Sequence, residues 1–125
     1  MYNSRKQQYS QWVSTIKSRI MYMELKTHPG GHDDRGPARI GRVTFSKSGS
    51  TMYYQGKSFQ RIHLHCGNYI DIDTDEEYWI YGPKKNGEDR YSWAQRTPVE
   101  IDDDIREEYW TTIRNQPDRI HQTVT

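Results

Sequence analysis

Two periodicities divide the chain. Tyr9, Trp12, Val13, Ile16 and Ile20 recur at helical spacing, and Arg5, Lys6, Gln8, Gln11 and Lys17 occupy the other side, so residues 5–18 are expected as an N-terminal amphipathic helix. From residue 19 the pattern becomes two-fold. Ile20, Tyr22 and Glu24 alternate with Met21, Met23 and Leu25, which predicts a strand over residues 19–26. Residues 27–37, dense in Gly, Pro, Asp and His, read as a loop. Strand pattern resumes at Arg39, with Ile40, Arg42 and Thr44 on one face and Val43 and Phe45 on the other. Gly41 marks a bulge or a close backbone approach. Turn residues at 46–50 and 55–57 separate strands at 51–54 and 58–64, and further strands follow at 69–73 and 77–81.

The helical period returns near the end. Ile105, Tyr109 and Ile113 form a stripe, Asp102 or Asp104 is the expected N-cap (the latter in a capping box with Glu107), and Pro117 is the stop. The domain map is therefore an N-terminal helical extension at 1–18, one α+β domain at 19–117 and a frayed tail at 118–125. The expected fold is a small, strongly bent antiparallel sheet, of which an SH3-like barrel is one form, closed by the C-terminal helix.

Composition changes the picture of the core. Only 32% of the 125 residues are hydrophobic and Leu occurs twice, whereas there are ten Tyr, four Trp and two Phe. Aromatic rings must supply much of the buried area, each contributing roughly 150–250 Å². Trp79 and Tyr109, on the two most regular apolar patterns, are the expected core rings.

Charge is divided along the chain. Residues 1–70 carry eleven Lys/Arg against three acids, and residues 71–125 carry seven against fourteen, although the net charge is only +1. Either the halves neutralise each other on folding, or the acid-free stretch from Arg35 to Arg61 presents a basic face to an anionic partner. The single cysteine, Cys66, excludes an intrachain disulfide and points to a reducing compartment. With no apolar run of membrane-spanning length and no apolar leader, the chain is expected to be cytoplasmic.

Candidate chemistry is sparse. His28, His32, Asp33 and Asp34 form one group of metal-ligand types, and His63, His65 and Cys66 another, but neither has paired ligand spacing, so no metal is expected. The acids at 71–77 miss the calcium-loop template and read as a solvated turn. Cys66 beside His63 or His65 lacks an orienting acid or oxyanion donors, and no phosphate-binding glycine loop is present, so no catalytic residue and no cofactor are assigned.

The stretch Tyr81-Gly82-Pro83-Lys84-Lys85-Asn86-Gly87 stands out. It puts two lysines on a constrained turn beside Tyr81, Tyr91 and Trp93, a combination suited to phosphates and stacked rings. The expected binding residues are Lys84, Lys85, Arg90, Arg39, Arg42, Lys47, Tyr81 and Trp93, in a binding module for nucleic acid or another polyanion. Two alternatives stay open. One is a small hydrolase or transferase on a nucleotide-like substrate, with Asp89 joining Lys84, Lys85 and Arg90. The other is a protein–protein adaptor or immunity-type protein using exposed aromatics.

Three blocks carry a resemblance: Gly36-Pro37-Ala38-Arg39-Ile40-Gly41-Arg42-Val43-Thr44-Phe45-Ser46-Lys47; Glu76-Glu77-Tyr78-Trp79-Ile80 with Gly82-Pro83-Lys84-Lys85 and Asp89-Arg90; and Val99-Glu100-Ile101-Asp102 with Arg106-Glu107-Glu108-Tyr109-Trp110. Over about residues 19–117 the chain resembles a family of small bacterial proteins often labelled 1-deoxy-D-xylulose-5-phosphate synthase. That synthase is a large thiamine-diphosphate enzyme whose Gly-Asp-Gly and downstream Asn motif is absent here. The resemblance therefore implies a compact domain without that chemistry.

Overall fold

The computed structural model describes residues 17–28, 31–32, 35–63, 66–94 and 96–125. The helix expected at 5–18 lies outside the described residues, except for its last two positions.

Six strands close into an antiparallel barrel: β1 (Ser18–Leu25), β8 (Glu77–Tyr81), β7 (Tyr69–Asp71), β6 (Lys57–Arg61), β5 (Thr51–Tyr54) and β4 (Ala38–Phe45). Closure comes from β1, which pairs with β4 on one side and β8 on the other. The first loop contains a short hairpin of β2 (Thr27–His28) and β3 (Gly31–His32), where the sequence pattern gives only a loop. A seventh strand, β9 (Glu100–Ile101), runs parallel to β4.

The alternation in β1 and β4 creates two cores on opposite faces of the same strands. Met21, Met23, Val43, Met52, Tyr54, Phe59, Tyr69 and Ile80 fill the barrel. Ile20, Tyr22, Ala38 and Ile40 face outward and are covered by Val99, Ile101, Ile105, Tyr109 and Trp110. Covering both faces leaves Ile20 to Glu24 buried without interruption.

The covering segment starts with a 3₁₀ turn at Asp103–Ile105, continues as α1 (Arg106–Glu108), and ends in a π-helical turn at Tyr109–Ile113. The capping box of Asp104 with Glu107 expected from sequence does not form, because Asp104 lies inside the 3₁₀ turn. Asp102 is the N-cap residue but makes no side-chain cap bond. Its carboxylate is claimed by Tyr54 Oη and by Arg39 Nε at 2.7 Å. Gly41 is the close approach, without a bulge: the β1–β4 register is unbroken, and a Cβ at Gly41 would collide with the Asp102 carboxylate and lie 2.8 Å from the Tyr54 ring.

Two further expectations are corrected. Trp79 is only half-buried on the outer face of β8, and among the described residues the fully buried tryptophan is Trp110, packed edge-to-face on Tyr109. Residues 118–125 are not a frayed tail, because Ile101 N–H donates to Thr123 O (2.8 Å) and Val99 exchanges two backbone bonds with Thr125.

Candidate ligand-binding site

On the outer face of the barrel, beyond the area covered by α1, strand register sets one side-chain cluster. Tyr22 stands opposite Tyr81 and Glu24 opposite Trp79 across the β1–β8 ladder. Since alternate residues share a face, Tyr22 and Glu24 of β1 lie beside Trp79 and Tyr81 of β8, and Lys26 follows just past the end of β1. The rings are in contact, with centroids 5.1 Å apart for Tyr22–Tyr81 and 6.0 Å for Trp79–Tyr81.

The segment after β8 folds back over this face. Asp89 Oδ1 accepts the Lys84 N–H at 2.7 Å, Asn86 Oδ1 accepts the Glu88 N–H at 2.9 Å, and Tyr81 Oη donates to the Asp89 carbonyl. Gly87 has φ +78°, open to glycine, and packs against the Arg114 guanidinium from the C-terminal covering segment. These bonds hold Lys84 and Lys85 on a fixed turn.

Arg90 is buried rather than presented. It donates to the carbonyls of Gly36 (2.9 Å), Thr97 (3.1 Å) and Pro98 (3.3 Å), and its Nη1 lies 3.5 Å from Glu24 Oε1. Glu24, Lys26 and Arg90 are 2%, 2% and 4% exposed. Glu24 also receives the Tyr22 hydroxyl. Its Oε2 has no well-directed hydrogen bond but lies 2.6 Å from Lys26 Nζ, so that contact is primarily electrostatic. Burial, followed by the bond to Glu24, holds the Tyr22 phenol protonated well beyond the ordinary tyrosine range. Tyr81 is raised by burial and by the charge of Asp89.

Between these groups is a cavity of about 460 Å³, lined by Glu24, Lys26, Trp79, Tyr81, Lys84, Glu88, Asp89, Arg90 and Tyr91. Lys26 Nζ sits 4.8 Å above the Tyr91 ring. Tyr91 in turn stacks on Trp93, with centroids 4.8 Å apart and planes at 13°. Both stacked rings face solvent, Tyr91 being 48% and Trp93 58% exposed. On the other side of the turn, Lys85 lines a second groove with Arg19 and Arg42, where the Arg19 guanidinium lies against Gly82.

The structure thus gathers Lys84, Tyr81, Arg90 and Trp93 on one side of the turn and Lys85 with Arg42 on the other. Lys47, exposed in the turn between β4 and β5, lines neither cavity. Arg39 is drawn to Glu100 (2.6 Å) and Asp102, and Arg42 pairs with Glu108 at 2.6 Å. Lys57 lies 3.6 Å from Asp71. These pairs join cations of the basic first half of the chain to acids of its second half, and Arg90–Glu24 joins the halves with the signs reversed. Lys84, Lys85 and Arg19 have no ion pair among the described residues.

Glu24, Lys26, Trp79 and Arg19 are site residues that the sequence reading missed, and Tyr91, read there only as a ring flanking the turn, joins them. The signal was present in the alternation Tyr22-x-Glu24-x-Lys26, which places an acid, a base and a ring on one face of a strand. Of the two histidine groups, His63 and Cys66 are exposed, and His65 lies outside the described residues. No helix among the described residues is long and apolar enough to cross a membrane. Compared with protein-family models, with curated proteins and with solved structures, the chain matches none.

Proposed function

We propose that the chain is a small binding module for single-stranded nucleic acid, engaged at the turn between β8 and Trp93. One observation carries this reading. An exposed, face-to-face pair of aromatic rings, Tyr91 and Trp93, stands beside a rigid turn whose lysines make no ion pair among the described residues. Rings this exposed leave apolar area in water, and a base packed against them recovers part of the lost hydrophobic stabilisation. Lys84, Lys85 and Arg19 supply the phosphate contacts. In this reading Arg39 and Arg42 belong chiefly to the internal charge pairing, and the closed barrel, consistent with an SH3-like form, serves as the rigid support.

The test is anisotropy of a labelled mixed-sequence single strand at about 50 mM and about 200 mM salt. Three phosphate contacts should weaken binding by about 20-fold between those conditions, since single strands lose roughly 0.7 in log affinity per contact per log unit of salt. Lys84→Ala/Lys85→Ala should reduce that ratio to about threefold. Trp93→Ala should cost about 1–3 kcal/mol at either salt. No binding at low salt overturns the proposal, and binding indifferent to both variants moves the site elsewhere.

A further inference from the structure

We infer that the cavity between Trp79, Tyr81 and Tyr91 is a slot for one unpaired guanine base. The inference rests on the nucleic-acid reading above and specifies which base the site accepts. The cavity, about 460 Å³, falls within the range of small-ligand sites and has aromatic walls for stacking.

Its polar lining is what selects. Packing alone does not require charge here, because apolar side chains could cover Tyr22 at lower desolvation cost than Glu24, Lys26 and Arg90. Among the described residues, Asp89 Oδ2 is buried and accepts no hydrogen bond, while Oδ1 is occupied by the Lys84 N–H. Asp89 itself is 6% exposed and lines the cavity. A buried acceptor without a donor is a deficit that a ligand N–H can fill. Two lysines line the same space, Lys26 with its ammonium over the Tyr91 ring, and Lys84.

A ligand matching this lining offers donors to a carboxylate along one edge and acceptors to a cation along another. Guanine does so, with its N1–H and exocyclic amine side by side and O6 with N7 beyond them. Adenine offers one amine between two ring-nitrogen acceptors, cytosine one amine beside a single ring-nitrogen acceptor, and thymine or uracil a single imide N–H between two carbonyls. None of these presents two adjacent ring-edge donors to a carboxylate.

The experiment uses the full chain and short oligothymidylates carrying one central guanine, hypoxanthine, adenine or cytosine, so that every probe has the same phosphates. The guanine probe should bind about tenfold tighter than the adenine and cytosine probes. The hypoxanthine probe, lacking only the 2-amino group, should fall between them. Asp89→Asn should bring the ratio of guanine-probe to adenine-probe affinity close to one, whatever the overall affinity of the variant. If that variant does not fold, the guanine–hypoxanthine comparison on the wild-type chain decides alone. Equal affinity for all four probes, or a guanine preference unchanged in folded Asp89→Asn, overturns the slot while leaving the binding module standing. Absence of binding by every probe at low salt removes both.

Discussion

At the scale of single residues, the outer face of β1 shows how local alternation acquires chemical consequence. Tyr22, Glu24 and Lys26 would form an ordinary amphipathic face if the turn after β8 did not cover them. Once covered, the polar groups of all three have partners, and the cost of removing them from water is offset only while those partners remain. Asp89 is the exception. Burial raises its carboxyl above the ordinary 3.8, and the Lys84 N–H opposes that shift without cancelling it. For an acid whose folded value is raised, the stability it contributes is fully present below the unfolded value and is lost as pH rises through the folded value. The expected result is that wild-type stability falls relative to Asp89→Asn as pH rises from about 3.8 through the raised value. Urea midpoints of both proteins across the acidic range measure it. A difference moving the opposite way would mean that Lys84 and Arg114 outweigh burial at this carboxylate.

At the scale of elements, the turn from Gly82 to Asp89 and the C-terminal covering segment form one mechanical unit, joined where Arg114 packs on Gly87. Arg114 also donates to Tyr109 Oη (3.1 Å) and Thr125 Oγ1 (2.6 Å) and lies over the Trp110 ring. A Cβ at residue 87 would therefore meet the guanidinium and adopt a left-handed conformation as well. Gly87→Ala should cost about 1–2 kcal/mol from backbone conformation. It should also weaken oligonucleotide binding, because displacing Arg114 frees the turn that holds Lys84. An unchanged denaturation midpoint would show that the turn relaxes without cost.

The helix was only partly readable at this scale. Ile105 and Tyr109 are buried as their spacing predicts, yet Trp110, the next residue, is buried too. A π turn widens the buried arc, which is how two consecutive rings share one core. A period of 3.6 does not anticipate that. The missing side-chain cap at Asp102 has a similar cause, since Asp102 bonds to residues more than forty positions away in preference to its own helix.

At the scale of the whole molecule, the barrel is closed by pairings distant in sequence, and the tail completes its outer core. Trp110 Nε1 donates to Gln122 O at 2.9 Å, and Thr123 and Thr125 bond to β9 and its flank. Truncation after Gln116 removes these bonds and the cover over Ile101 and Trp110. At about 0.5–1.5 kcal/mol per net hydrogen bond, the loss of these four should reach about 2–6 kcal/mol. Thermal or urea denaturation measures it, and a truncated chain with full stability would make the tail dispensable. The charge asymmetry resolves at this scale too, with Arg39, Arg42, Lys57 and Arg90 each finding a carboxylate from the opposite half.

The sequence by itself determined most strand positions, the closing segment after Ile101, the aromatic character of the core, and the Lys84–Lys85 turn as a candidate surface. These are local quantities, carried by period, turn residues and composition within a few positions. Only the tertiary structure decided which faces are covered, and hence that Trp110 rather than Trp79 is the core tryptophan. It also decided which cations are already paired, and that Arg90 is buried against Glu24 while Lys84, Lys85 and Arg19 make no ion pair among the described residues. The physical reason is the same in each case: burial and ion pairing depend on register between strands far apart in the chain, and a two-residue period says which side chains share a face but not what lies against it.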